Sequence, residues 1–155
     1  MNTALLALLL LACGAKPTAA DAVTAAETSL SAQDYAGAIA NAKQGLNRHP
    51  ETKDWWRLEF IALEALARSG DAAAVTAKLA SLSEANGSPI KGTHYVSTAD
   101  QLKASGAGTD AIELLDQGRR RFPNDPDIQR ALEQAKASGG TDELEALKSL
   151  GYLGE

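Results

Sequence analysis

Cysteine is nearly absent from the chain: Cys13 is the single one in 155 residues. No internal disulfide can form, and there is no Cys-x-x-Cys metal or redox pair. Histidine is almost as rare. Neither His49, beside Pro50, nor His94, at the start of an expected helix, stands in a His-x-x-x-His or Glu-x-x-His spacing. That spacing would set two metal ligands on one helical face, so both histidines read as surface or capping residues. A Gly-x-Ser-x-Gly elbow and a Walker-type loop are also missing, and Gly106-Ala107-Gly108 is too short to cradle a phosphate. A non-enzyme without cofactor or metal is therefore expected. Aromatic residues form only 5% of the chain, few for the platforms of a glycan pocket. Long apolar runs are lacking as well. The longest, Ala4 to Ala12, falls far short of the roughly 20 residues that a membrane-spanning helix needs. No Lys or Arg precedes it, since the chain opens Met1-Asn2-Thr3.

What the chain has in abundance is Ala and Leu. They dominate an apolar share of 45%, and they are strong helix formers, while the aromatic and β-branched residues that favour strands are scarce. An all-α fold follows, and the length leaves room for one modest domain. A formal net charge of −5 argues against a nucleic-acid binder, whose electrostatic footprint is basic. The one dense basic run, Arg119-Arg120-Arg121, falls in the last turn of an expected helix, where cations favour the helix dipole by about 0.3 to 1 kcal/mol. Its functional alternative is a docking patch for anionic headgroups or an acidic partner.

Turn signals divide the chain into helices. Asp21 to Gln33 carries Val23, Ala26 and Leu30, and Tyr35 to Arg48 carries Ala38, Ile39, Ala42 and Leu46 before His49-Pro50 stops it. Asp54 to Ser69 places Trp56, Phe60, Leu63 and Ala67 on one face and Leu58, Ala62 and Leu66 beside it. Such a wide apolar surface predicts burial on two sides. Gly70 suits a left-handed position and Asp71 an N-cap for a helix reaching about Leu82. Beyond Asn86-Gly87-Ser88-Pro89, helices are expected from Gly92 to Ser105 and from Asp110 to Phe122. Another is expected from Asp125 as N-cap, with Pro126 at the first helical position, to Gly139-Gly140. Thr141 is expected to cap a last short helix carrying Leu144, Leu147 and Leu150.

The N-terminus has its own pattern. Read from its residues, the Ala4 to Ala12 run fits the h-region of a signal peptide or a buried first helix, and Lys16-Pro17-Thr18 ends it. Leu10 stands three residues before Cys13, Ala12 directly before it and Gly14 directly after, which resembles the lipobox of bacterial lipoproteins. The resemblance implies a signal peptide over 1–12 and a lipidated tether over 13–18, with a thioether-linked diacylglycerol on Cys13. Two acyl chains give stable anchoring, at about 0.8 kcal/mol per buried CH₂. By the rules of the family the domain would lie in the periplasm, and Gly14 in place of Asp would favour the outer membrane.

Further on, Asp34-Tyr35-Ala36-Gly37-Ala38-Ile39 is closed by Pro50, and Gly108-Thr109-Asp110-Ala111-Ile112 by Pro123. Ala38 to Pro50 and Ala111 to Pro123 are both 12 residues, with Gly45 and Gly118 at corresponding sites. This resembles the second half of a tetratricopeptide repeat, in which a Gly/Asp-Tyr turn precedes Ala-Ile and the helix ends at Pro. The family's turn glycine, two residues before the tyrosine, is Gln33 in the first repeat and Gly106 in the third, where Gly108 replaces the tyrosine. The 73 residues from Pro50 to Pro123 hold slightly more than two repeats of roughly 34, so a middle repeat fits, built from Asp54 to Ser69 and Asp71 to Leu82. The resemblance implies a short right-handed superhelix of about three helix hairpins over 19–123, followed by capping helices over 124–155. A bundle of unrelated hairpins would share the same Ala/Leu periodicity.

In tetratricopeptide proteins the first helix of each repeat lines a concave groove for an extended or helical peptide. Carried onto this chain, the groove residues are Glu27 in the first repeat, Arg57, Glu64 and Arg68 in the second, and Asp100 and Lys103 in the third. Trp55 and Trp56 add anchors of the kind found at interface hot spots, with at least one of them expected to point inward. The expected function is that of an envelope adaptor, held to the membrane through lipid on Cys13, whose groove takes a protein or peptide partner, as in an assembly or secretion complex. The alternatives are a structural subunit of an envelope complex and, further off, a periplasmic binder of glycan or small ligand.

Overall fold

The computed structural model describes residues 17–153. Cys13, the 1–12 signal segment and most of the 13–18 tether lie outside the described residues. Among the described residues there are eight α-helices and no strand: α1 (Ala19–Ser31), α2 (Tyr35–Leu46), α3 (Thr52–Ser69), α4 (Ala72–Glu84), α5 (Gly92–Ala104), α6 (Gly108–Arg121), α7 (Pro126–Ser138) and α8 (Thr141–Ser149). The all-α expectation holds.

Side chains next to each turn set the helix starts. Thr18 and Asp21 cap α1 reciprocally: the Thr18 hydroxyl accepts from the Asp21 N–H at 3.2 Å, and the Asp21 carboxylate accepts from the Thr18 N–H at 2.7 Å. The Asp34 carboxylate accepts from the Gly37 N–H at 2.9 Å to start α2, and that of Asp71 from the Ala74 N–H at 3.1 Å to start α4. Asp125 accepts from the N–H groups of Asp127 and Ile128 at 3.0 and 3.2 Å, with Pro126 opening α7 as expected. Four starts differ from the sequence reading. Helices α1 and α3 begin at Ala19 and Thr52, each two residues ahead of the expected Asp. Thr141 is the first helical residue of α8, not its cap, and the Glu143 carboxylate instead reaches back to the Gly140 N–H at 2.8 Å. Helix α6 begins at Gly108, ahead of Asp110, because Gly106 at φ 94° turns the chain earlier.

A common spacing runs through the hairpins. Helices α1 and α5 begin 73 residues apart (92 less 19), and so do α2 and α6 (108 less 35). The left-handed turn position recurs with them: Gly70 at φ 79° and Gly106 at φ 94° are matched in the first hairpin by Gln33 at φ 61°. The glycines at corresponding sites also do the same work. A Cβ on Gly45 would lie 2.8 Å from the Ala22 Cβ and from Leu58, and one on Gly118 would lie 2.9 Å from the Tyr95 Cβ. No side chain fits at either crossing.

The odd-numbered helices pack side by side, α1 on α3, α3 on α5 and α5 on α7, while α1 with α2 and α5 with α6 form close hairpins. Helix α4 packs on α3 and α6, and α8 on α6 and α7. Helix α3 lies between two apolar clusters. Leu58, Ile61, Ala62 and Ala65 join Ala22, Ala26, Ala38 and Ala42, while Leu63 and Ala67 join the larger cluster of Leu79, Leu102, Leu114, Ile128 and Leu147. The two-sided burial expected from its wide apolar surface is present.

Candidate functional site

Small residues on facing helices leave a gap in this packing. Ala111 on α6 and the i, i+4 pair Ala131 and Ala135 on α7 do not fill the space beside α5, and a cleft of about 410 Å³ opens between α5 and α7 over α6. Val96, Ile112 and Leu115 complete its apolar floor, and Asp100, Lys103, Asp127 and Arg130 stand on its rim. Apolar depth with charge at the edge suits a side chain buried end-on with its backbone held at the rim.

The rim charges differ in freedom. Arg130 is paired with Asp127 one turn away at 2.8 Å. Lys103 reaches across to Glu143 at 3.0 Å. Burial opposes the Glu143 charge, but the Gly140 N–H and the Lys103 ammonium outweigh it and hold the carboxyl below the usual carboxylate range. Asp100 is exposed and has no ion-pair partner among the described residues.

The groove residues carried over from the resemblance all stand on odd helices, but they do not form one cluster. Glu27 and Arg57 meet across α1 and α3 at 2.6 Å, and Glu64 and Arg68 pair along α3 at 2.7 Å. Their charges are largely spent on each other. Arg68 and Asp100 share a smaller opening of about 320 Å³ with Tyr35 and Ala104, where the ends of α3 and α5 come together. Asp100 and Lys103 are the two that line the cleft between α5 and α7. The sequence reading missed its other wall, Asp127, Arg130 and Ala131 on α7, because it treated everything past 123 as a cap. A signal was available in the spacing: α7 begins 74 residues after α3 (126 less 52), close to the 73 that relate α1 to α5.

The scarce aromatics are assembled in a row. Trp55 and Trp56 meet edge to face at 4.6 Å between ring centroids, Trp56 lies 6.0 Å from Phe60, and Phe60 stacks on His94 at 5.2 Å across α3 and α5. Both tryptophans are half-buried against the core, so neither is a wholly inward residue. His94 Nδ1 accepts from the Lys91 N–H at 3.0 Å, and burial pushes its pKa below the ordinary imidazole value.

Arg119, Arg120 and Arg121 serve the fold. The buried Asp116 carboxylate pairs with Arg119 at 3.4 Å and Arg120 at 2.6 Å, and accepts from the Tyr152 hydroxyl at 2.7 Å. Arg119 donates in turn to Tyr152 and lies over its ring, fastening the C-terminal segment to α6. Arg121 donates to the Ser83 carbonyl at the end of α4. Arg120 keeps most of its side chain in solvent, at 70% exposure.

Among the described residues, no helix is long and apolar enough to cross a membrane, and no group of three or more His, Cys, Asp or Glu side chains is placed to hold a metal. Comparison with protein-family models, with curated proteins and with solved structures gives no match.

Proposed function

We propose that this protein is a lipid-anchored adaptor of the bacterial cell envelope, a tetratricopeptide-like lipoprotein whose odd-helix face holds a segment of a partner protein. The observation that carries the reading is the cleft between α5 and α7, with an apolar floor and, on its rim, Asp100, which is unpaired among the described residues. A partner segment would place one or two apolar side chains on Val96, Ile112 and Leu115, and a basic side chain or backbone N–H at Asp100. The repeat reading is supported by the 73-residue recurrence of helix starts, by the left-handed turns at Gln33, Gly70 and Gly106, and by odd helices packing on odd. The anchor at Cys13 rests on Leu10-Leu11-Ala12-Cys13-Gly14 at the end of the apolar run.

The test is affinity capture from detergent-solubilised membranes with wild-type protein and with Val96→Glu and Ala131→Glu, which put charge on the cleft floor at half-buried positions. With helicity unchanged, the reading expects one defined envelope protein to be captured by wild type and lost with both variants. Equal capture by all three would move the interface off this face.

A further inference from the structure

The two halves of the chain can be laid on each other helix by helix. Helices α1 and α2 correspond to α5 and α6 at a spacing of 73 residues, and α3 corresponds to α7 at 74. Burial sets that last register: buried Leu58 and Ile61 of α3 fall on buried Leu132 and Ala135 of α7, whereas a spacing of 73 would set Ile61 on exposed Gln134. The cleft between α5 and α7 then has a counterpart between α1 and α3. Val96 and Asp100 on α5 fall on Val23 and Glu27 on α1, and Ala111 and Ile112 on α6 fall on Ala38 and Ile39 on α2. Ala131 and Ala135 on α7 fall on Arg57 and Ile61 on α3.

The floors match, but the walls on α3 and α7 do not. In the first half Arg57 on α3 reaches α1, where its Nε and a terminal nitrogen both lie 2.6 Å from one oxygen of the Glu27 carboxylate. In the second half Ala131 stands in the place of Arg57, and Asp100, in the place of Glu27, is exposed with no ion-pair partner among the described residues. Val23 is 4% exposed, while Val96 is only half-buried. The wall loses bulk again one turn further on, where Ala135 stands in the place of Ile61. Relative to the first half, then, the second lacks a guanidinium with its methylene stem and, about 6 Å along the helix, an aliphatic side chain.

The charge around Asp100 agrees. Arg68, Lys103 and Arg130 stand against Glu64, Asp100, Asp127 and Glu143, three cations for four carboxylates. Each cation is bonded to an acid other than Asp100: Arg68 to Glu64, Lys103 to Glu143 and Arg130 to Asp127. The surplus is one negative charge, at Asp100, beside an apolar floor. We infer that the cleft is a seat for an arginine of the partner protein, whose side chain takes the place that Arg57 fills in the first half. Its methylenes lie over Val96 and Ile112, its guanidinium pairs with the Asp100 carboxylate, and an aliphatic residue of the partner follows it along the cleft. This rests on the reading of the cleft as the partner-binding surface. Arginine suits the seat better than lysine, since the planar, weakly hydrated guanidinium can lie on apolar surface while its fork of N–H groups meets a carboxylate.

The probe is a blocked peptide, acetyl-Ser-Arg-Ser-Leu-Ser-amide, whose alternate side chains share one face of an extended chain about 7 Å apart. Versions with citrulline or lysine in place of the arginine are the controls. Purified mature protein is titrated with each, and the methyl resonances of Val96, Ile112 and Leu115 are followed by NMR. The arginine peptide should shift them and bind about tenfold more tightly than the citrulline peptide, and more tightly than the lysine peptide. Asp100→Asn should erase the preference. Ala131→Arg, which supplies a guanidinium from α7 as Arg57 does from α3, should shut the peptide out with Tm unchanged or raised. Equal affinity for the arginine peptide and either control, no shift with any peptide, or undiminished binding to Ala131→Arg would overturn the arginine seat. Membrane capture judges the adaptor reading separately: a partner lost with Val96→Glu keeps the cleft as the binding surface whatever the peptides do, and a partner retained with it removes the cleft reading and the seat together.

Discussion

Gln33 occupies a backbone position that its hairpin counterparts give to glycine. At φ 61° it bears the left-handed penalty of about 1 to 2 kcal/mol for a residue with a Cβ. Gln33→Gly should therefore stabilise the domain by roughly 0.5 to 1 kcal/mol after the added freedom of the unfolded chain is subtracted, seen as a raised Tm. The opposite change at Gly118 should cost about 1 to 3 kcal/mol, because a methyl there would strike Tyr95 at 2.9 Å. His94 makes stability depend on pH. Its folded pKa is depressed by burial, so the unfolded chain binds the proton more readily. Its contribution is complete above about pH 6.5 and is lost as pH falls through the lower folded value. His94→Phe, which keeps a ring on Phe60, should flatten the decline of Tm in that acidic window; an unchanged slope would count against this assignment. The left-handed turn at Gly70 was legible in the sequence, because glycine followed by a capping Asp is a local signal. The one at Gln33 emerges only from the spacing, and the stack on His94 depends on α3 meeting α5, which no local pattern encodes.

At the scale of the helices, Ala38 and Ala111 are the small residues that bring even helices against their neighbours, and both are buried. Ala38→Asp or Ala111→Asp places an unpaired charge there and should abolish much of the far-ultraviolet helical signal; full helicity in both variants would refute the register. The C-terminal segment acts on the same scale. Tyr152 links the residues after α8 to Asp116 and Arg119 on α6, so truncation after Ser149 should raise amide hydrogen exchange in α6 to α8 more than in α1 and α2. The existence and order of all eight helices could be read from Ala/Leu periodicity and turn residues, because both act locally. Their ends shifted by a residue or two, at α3 and α6 where no side chain caps the start and at α8 where Glu143 caps Gly140. The pairing of helices was legible only where small residues recurred at fixed spacing. The far wall of the cleft was signalled only by the repeat spacing, because the α7 residues that line it, Asp127, Arg130, Ala131 and Ala135 among them, form no motif of their own.

For the whole molecule, the described residues form a row of helices with an open cleft. Cys13→Ser should release the protein from membranes into the soluble fraction, and continued membrane retention would contradict the anchor. Mixed charge along the odd helices was readable from the repeat pattern. Its mutual pairing was not, since Glu27 and Arg57 stand 30 residues apart in the chain, and this pairing moves the proposed binding surface from α1 and α3 to the cleft beyond them. The central claim is that a partner protein occupies that cleft. Photo-crosslinking in intact cells tests it most directly, with a benzophenone amino acid placed at Ser97 on the cleft and, separately, at exposed Ala77 on α4. A partner seated in the cleft predicts one defined adduct from Ser97, absent from Ala77 and abolished by Asp100→Arg. The same adducts from both positions, or none from Ser97, would contradict it.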